Sequence, residues 1–161
     1  MFNVRRYEPS DHDAVWELHN LALHQVGAHA GNGKWDDDLH DIDAVYIDDG
    51  GEFLVGTEND LVIAMGALKR LSDTNAEITR MRIHPNHQRQ GLGQVILTAL
   101  EEAARKLEYE VLQLQTTTKQ TAAQGLYERN GYTATGNSRY DQFVVISYRK
   151  ALGSQAQTEE V

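Results

Sequence analysis

Two glycines stand where a helix should begin. The stretch RMRIHPNHQRQGLGQVILTALEEAARK, residues 80–106, passes from an alternating segment through a polar loop to Gly91 and Gly93, and then into an amphipathic run. Glycine costs about 0.5–1 kcal/mol relative to alanine inside a helix, so a pair at a helix start needs a steric or chemical reason. A helix N-terminus exposes unpaired backbone N–H groups and the positive end of the macrodipole, and it binds phosphate where the backbone can come close. With no side chains at Gly91 and Gly93, the amides around residues 88–94 can wrap a pyrophosphate. Two better-known phosphate loops fit poorly. No Gly-Lys-Ser/Thr is present, and Ile96 stands where a dinucleotide fingerprint needs a third Gly or Ala. What does fit is a Gln/Arg-x-x-Gly-x-Gly/Ala pattern, present as Gln88-Arg89-Gln90-Gly91-Leu92-Gly93.

Other chemistries find less support. The absence of cysteine excludes disulfides, thiolate zinc sites and an acyl-cysteine intermediate. Seven histidines invite a metal site, above all His84 and His87 around Pro85, but none stands beside a carboxylate at a recognised ligand spacing, so no metal is expected. The net charge of −9 repels phosphate backbones and draws cationic small molecules, which argues against nucleic acid as a partner. The longest apolar run, residues 61–68, is too short to span a bilayer, and the N-terminus lacks a signal-peptide core. The expectation is a soluble cytoplasmic protein with no membrane partner. A chain of 161 residues suits one domain, over residues 1–152, with a disordered tail at 153–161.

The elements that must position the loop follow from periodicity. Residues 2–7 alternate as an opening strand. Ser10 caps a helix over residues 11–26 with Val15, Leu18, Leu21 and Ala22 as its apolar stripe. After a flexible loop at 27–34, a second short helix in WDDDLHDIDAVYID places Trp35, Leu39, Ile42 and Tyr46 on one face and the acidic residues in water. GEFLVGT and LVIAMGALKRL pair as a hairpin through Glu58-Asn59-Asp60, and a third strand over 76–84 leads into the glycine loop. The helix over 91–107 packs Leu92, Val95, Ile96, Ala99, Leu100, Ala103 and Leu107 on a sheet. EVLQLQT is a strand, KQTAAQGLYERNGY a short helix ended by Asn130-Gly131, and strands at 132–137 and 142–149 close the chain. Such an order gives a mixed sheet covered by helices, with a right-handed parallel crossover at its centre.

Taken with its setting between AEITRMRIHP and the later AAQGLYERNGY, the glycine loop resembles that of the GNAT family of N-acetyltransferases, over about residues 3–150. The resemblance implies an α/β (α+β) fold whose mostly antiparallel sheet has about seven strands, a central parallel β-α-β unit and about four flanking helices. It implies acetyl-CoA as the acyl donor, its pantetheine arm between two splayed parallel strands. Met81-Arg82-Ile83 would hold that arm through the backbone of Met81 and Ile83, while Gln88, Arg89, Gln90, Gly91, Leu92, Gly93 and Gln94 would surround the pyrophosphate. Gln120 stands where many members carry an asparagine that contacts the pantetheine.

Acetyl transfer to an amine needs a neutral nitrogen, a stabilised oxyanion and a proton for the departing thiolate. An alkyl ammonium titrates near pH ~10, so a base must act at neutral pH. The resemblance points to Glu77, four residues before Met81, as that base, to a backbone N–H near Met81 for the oxyanion, and to Tyr127 of the Leu-Tyr pair as proton donor. It puts the acceptor beside the first two helices, where Asp36, Asp37 and Asp38 would form an acidic rim suited to a cationic amine on a small molecule or peptide. The helix dipole alone also accounts for the three aspartates. A homodimer stays open. The rival is a CoA-binding sensor module of the same fold that has lost the chemistry.

Overall fold

The computed structural model describes residues 1–25, 27–28 and 31–153. Among them seven strands form one sheet in the order β1-β2-β3-β4-β5-β7-β6, with β1 Phe2–Arg6, β2 Glu52–Glu58, β3 Leu61–Arg70, β4 Asn75–Ile83, β5 Val111–Thr117, β6 Thr133–Tyr140 and β7 Phe143–Ala151. Helices α1 (His12–Gln25), α2 (Leu92–Lys106) and α3 (Thr121–Arg129) flank it. Every neighbouring pair is antiparallel except β4 and β5, which α2 joins as a parallel crossover. The hairpin between β2 and β3 turns on Asn59 and Asp60, whose φ values of 52° and 65° are those of a two-residue type I′ turn.

Strands β2 and β3 are apolar on both faces because helices cover both. On one face Leu54, Ala64 and Leu68 pack with Ile96, Leu97, Leu100 and Ala104 of α2. On the other Phe53, Val55, Met65 and Ala67 pack with Val15 and Leu18 of α1 and with Leu39, Ile42 and Tyr46. The buried stripe of α2 differs from the expected one, for Val95 and Leu107 are each 44% exposed while Leu97 and Ala104 are buried. Glu101 supplies the reason. It lies on the buried face, accepting hydrogen bonds from the Tyr132 hydroxyl (2.7 Å) and Lys150 Nζ (2.9 Å), so the packed face is centred nearer to it.

Near the N-terminus Asp11, not Ser10, organises the helix entry. Its carboxylate accepts the Glu8 N–H at 2.8 Å and a forked pair from Arg5, holding a 3₁₀ turn at Pro9–Asp11 that leads into α1. Leu21 is exposed rather than packed, and Val26 lies outside the described residues. The second helical stretch departs further. It divides into a 3₁₀ turn, Lys34–His40, and a π turn, Asp43–Ile47. Leu39, Ile42 and Tyr46 are buried as the spacing predicts, but Trp35 is 61% exposed and Asp36 only 3%. A 3₁₀ turn eclipses positions i and i+3, so burying Leu39 carries Asp36 inward with it. The expected disorder of the tail falls, from residue 154 onward, outside the described residues.

The sheet opens at its centre. Strands β4 and β5 pair only from Asn75 to Ile78 against Val111 to Leu114, while β4 runs on beside β3 to Ile83 and β5 beside β7 to Thr117. A bulge in β4 accompanies the parting. Met65 faces Arg82 and Ala67 faces Thr79, so the single residue Gly66 faces both Arg80 and Met81, and Arg80 takes φ 57°. An extra residue bends a strand and leaves an amide without a ladder partner. Gly66 permits the close approach, since a Cβ there would lie 2.7 Å from Met81 Sδ and from Ile96 Cγ2. The extra residue also reverses the alternation. Ala76 and Ile78 point to the α2 side and Met81 and Ile83 continue on it, which turns Arg80 and Arg82 toward α1.

Candidate active site

A cleft of about 580 Å³ follows the parted strands to the start of α2. Its walls bring together Met81, Arg82 and Ile83 of β4, Gln88, Arg89, Gly91, Leu92, Gly93 and Gln94 of the loop and helix start, and Gln120 and Tyr127 of the α3 region. Gln90 and Glu77 do not line it. Gly91 caps α2 in the left-handed region at φ 77°, and a Cβ there would meet nothing within 4 Å, so its backbone conformation rather than crowding calls for glycine. Gly93 answers to packing, as a Cβ would stand 3.3 Å from Leu126 of α3. No side chain caps α2 and no acidic residue sits in its first turn, so its leading amides are available to an anion.

The polar side chains of the loop brace it. Gln88 Nε2 donates to Gln25 Oε1 of α1 at 2.8 Å, and Gln94 exchanges two 2.8 Å bonds with Asn130 at the end of α3. Gln120 Oε1 accepts from the Thr117 N–H (3.1 Å) and hydroxyl (3.0 Å), which ties that side chain to its own turn. Sequence reasoning passed over Lys119 and Arg129 and weighed His87 only as a metal ligand, and all three also line the cleft. With Arg82 and Arg89 they give, among the described residues, four Lys and Arg side chains and no carboxylate along its walls, in a chain of net charge −9. Their signal was the placement of basic residues beside the glycine loop and at both ends of the KQTAAQGLYER segment.

Tyr127 is 4% exposed, with its ring 5.8 Å from that of Tyr132 and 6.2 Å from that of Tyr148. Burial pushes its phenol up to about 12, against the pull of the Arg82 charge. Glu77 lies elsewhere, on the wall of a second cavity of about 340 Å³ formed with Gln113, Gln115, Thr135, Ser147 and Arg149 across β5, β7 and β6. Burial raises its carboxyl above the usual range, Lys69 and Arg80 oppose the rise, and Asp38 adds to it. The structure therefore does not bring Glu77 and Tyr127 into one cavity.

The acidic run does not form an open rim. Asp38 is gripped by Arg80 through Nε (3.0 Å) and Nη2 (2.6 Å) and by the Tyr46 hydroxyl, and Arg80 Nη2 also donates to the Trp35 carbonyl at 2.6 Å. Asp36 accepts from His19 Nε2 at 3.0 Å and from Asn32 at 3.1 Å, with Arg80 Nη1 at 3.5 Å. Arg82 Nε donates to His19 Nδ1 at 3.4 Å, which fixes His19 as the neutral Nε2–H tautomer. Burial, then Arg82 and Arg80, push the imidazole down to about 3, so it neither carries charge nor takes a proton near neutrality. Of the three aspartates only Asp37 remains exposed. Among the described residues no group of three or more His, Asp or Glu side chains is placed to hold a metal ion, and no helix is long and apolar enough to cross a membrane.

A model of the acetyltransferase (GNAT) family matches residues 12–132. The uncharacterized N-acetyltransferase YsnE of Bacillus subtilis (strain 168) is 36% identical over 77 residues, 47% of this chain and 51% of that protein, so the chain spans about half the length of the curated relative it matches. Among solved structures, a GNAT-family acetyltransferase from Staphylococcus aureus Mu50 aligns with a TM-score of 0.87 at 18% identity, over 95% of this chain and 100% of its own. The structure of yncA from Salmonella typhimurium with its cofactor acetyl-CoA aligns with a TM-score of 0.78 at 21% identity, over 94% of both chains. At such identities the structures speak for the fold. The family match covers α1, the bulged strand, the uncapped glycine turn and Tyr127 in a single span, and by it the chain belongs to the GNAT acetyltransferase family.

Proposed function

We propose that the protein is an acetyl-CoA-dependent N-acetyltransferase that acylates a primary amine of a small molecule or peptide by direct transfer in a ternary complex. The observation that carries this reading is the cleft itself. It gathers four cations and, among the described residues, no carboxylate along its walls in an acidic chain, and it runs from an uncapped helix start to a pair of strands with unpaired edges. A pyrophosphate suits the helix start. An amide-rich arm suits the strand edges, whose main-chain groups otherwise lack partners.

In this reading the C–N bond forms as the thioester C–S bond breaks. The amide that the β4 bulge leaves without a ladder partner is placed to stabilise the developing oxyanion. Glu77, its carboxyl raised by burial, takes the amine proton from the second cavity, directly or through water. Tyr127 gives a proton to the leaving thiolate from within the cleft. The test follows thiol release from acetyl-CoA over a panel of primary amines, with CoA binding measured on the same protein. Amine-dependent release supports the reading. Tight CoA binding with no release for any amine would favour the sensor module.

A further inference from the structure

Of the cations lining the cleft, Arg82 stands apart. Arg89 belongs to the glycine loop and Arg129 to the end of α3, which Asn130 ties to the first turn of α2, so both serve the end suited to a pyrophosphate. Arg82 instead sits on β4 just past the bulge, near enough to Tyr127 for its charge to act on that hydroxyl. Its guanidinium is held by two neutral acceptors, His19 Nδ1 and the Met81 carbonyl at 2.8 Å. Among the described residues no carboxylate lies within ion-pairing distance. The carboxylate whose charge reaches Arg82, Asp36, stands behind His19 and is shared with Arg80 and Asn32.

A half-buried cation without a direct counter-ion still loses part of its hydration uncompensated, and a guanidinium presents five N–H groups in a rigid fork matched to a carboxylate. The pantetheine arm is neutral and cannot supply that charge. The two buried aspartates that an acidic rim would need are already engaged with Arg80 and His19. We propose that Arg82 is a carboxylate anchor at the reacting end of the cleft, so that one of the two substrates carries a carboxylate close to the atoms that react. The inference rests on the acyltransferase reading and narrows its substrate class. The carboxylate comes either from the acceptor, which is then an amino acid or similar amino-carboxylate, or from the acyl group, which is then the half-thioester of a dicarboxylic acid. In both cases the same C–N bond forms and the same C–S bond breaks, and Arg82 moves no proton.

Calorimetry separates the sources. The CoA-loaded full chain is titrated with glycine, L-alanine, L-glutamate and L-lysine, each beside its α-carboxamide, and the ligand-free chain with succinyl-CoA beside butyryl-CoA. The carboxylate member should bind at least about 30-fold tighter in one of the two arms, and Arg82→Gln should bring that pair to near parity. Arg82→Lys keeps the charge without the fork, and it should lose most of the preference if the glutamine variant does not fold. Equal binding within every pair by the wild-type protein overturns the proposal, as does a preference that survives both substitutions. A carboxylate preference accompanied by no thiol release from any donor would leave the anchor standing and reject the transferase reading instead.

Discussion

Replacing Arg80 by methionine removes the central cation of the network under the first turns. The side chains of Arg80 and Asp38 are 14% and 18% exposed and meet as a forked pair. Breaking such a pair from one side costs about 3–5 kcal/mol, because the remaining carboxylate stays buried without its counter-charge. Asp36 retains His19 and Asn32, so the lower end applies. For a chain of this size, about 2–4 °C per kcal/mol translates the loss into a fall in Tm of roughly 6–12 °C. The pH dependence has a definite sign. Arg80 and Tyr46 outweigh burial and hold the folded Asp38 carboxyl below its unfolded value near ~4, so the wild-type contribution is complete above that value and fades as pH falls through the folded one. In the variant burial is opposed chiefly by the Tyr46 hydroxyl and no longer by Arg80, so the Asp38 carboxyl rises, protonation relieves the strain and the variant gains on acidification. Urea and thermal unfolding from pH 8 to 4 should therefore show a gap that is widest near neutrality and narrows below. Adding Asp38→Asn to the variant should recover part of the loss. A gap under about 1 kcal/mol, or one that widens toward acid, would refute the reasoning.

Further outcomes are expected at the cleft. CoA should raise Tm, and Gly91→Asp should abolish the rise by setting a carboxylate against the pyrophosphate, whereas Gly91→Ala should cost only about 1 kcal/mol of backbone strain and keep it; identical shifts in both variants would count against the site. Glu77→Gln should depress kcat most near neutral pH and recover as alkali supplies the neutral amine, which a pH–rate profile reads directly. Tyr127→Phe should lower kcat about 10²-fold with little change in acetyl-CoA affinity. With the phenol near 12, the wild-type alkaline decline should begin well above pH ~10 and vanish in the variant. Near-normal kcat with easier unfolding would make Tyr127 a packing residue.

Much of the frame was legible. Gly91 and Gly93 marked the start of α2, Asn59 and Asp60 the hairpin, and Gly131, at φ 88°, the end of α3. These are local decisions, taken by residues whose backbone preference outweighs their surroundings. What stayed hidden depends on register and distant pairing. Nothing in ITRMRI announces that Arg80 and Met81 share one partner, so the face on which Arg82 falls could not be read. Asp36 and Asp38 look like solvated residues until Arg80, more than forty positions later, draws them in. The spacing of Ile42 and Tyr46 marked both for burial, but not the π turn at Asp43–Ile47 that carries them inward.

The slip in β4 separates two kinds of specificity that would otherwise compete for one surface. Beyond Gly66 the strand offers its edge, which is the same whatever the side chains are, to one substrate, and its odd-numbered side chains to the core. The side chains of Arg80 and Arg82, left over by the change of parity, answer to the first turns and to whatever enters from that side, Arg82 reaching the cleft as well. Selection can therefore rewrite much of residues 12–48 together with those two positions, so long as Gln25, which braces Gln88, and the cleft-lining Ala22 and Leu23 are kept. In engineering terms the bulge is a graft boundary. A transplanted acceptor pocket should bring its own residues for positions 80 and 82, and should leave Gly66, Met81 and Ile83 where they are.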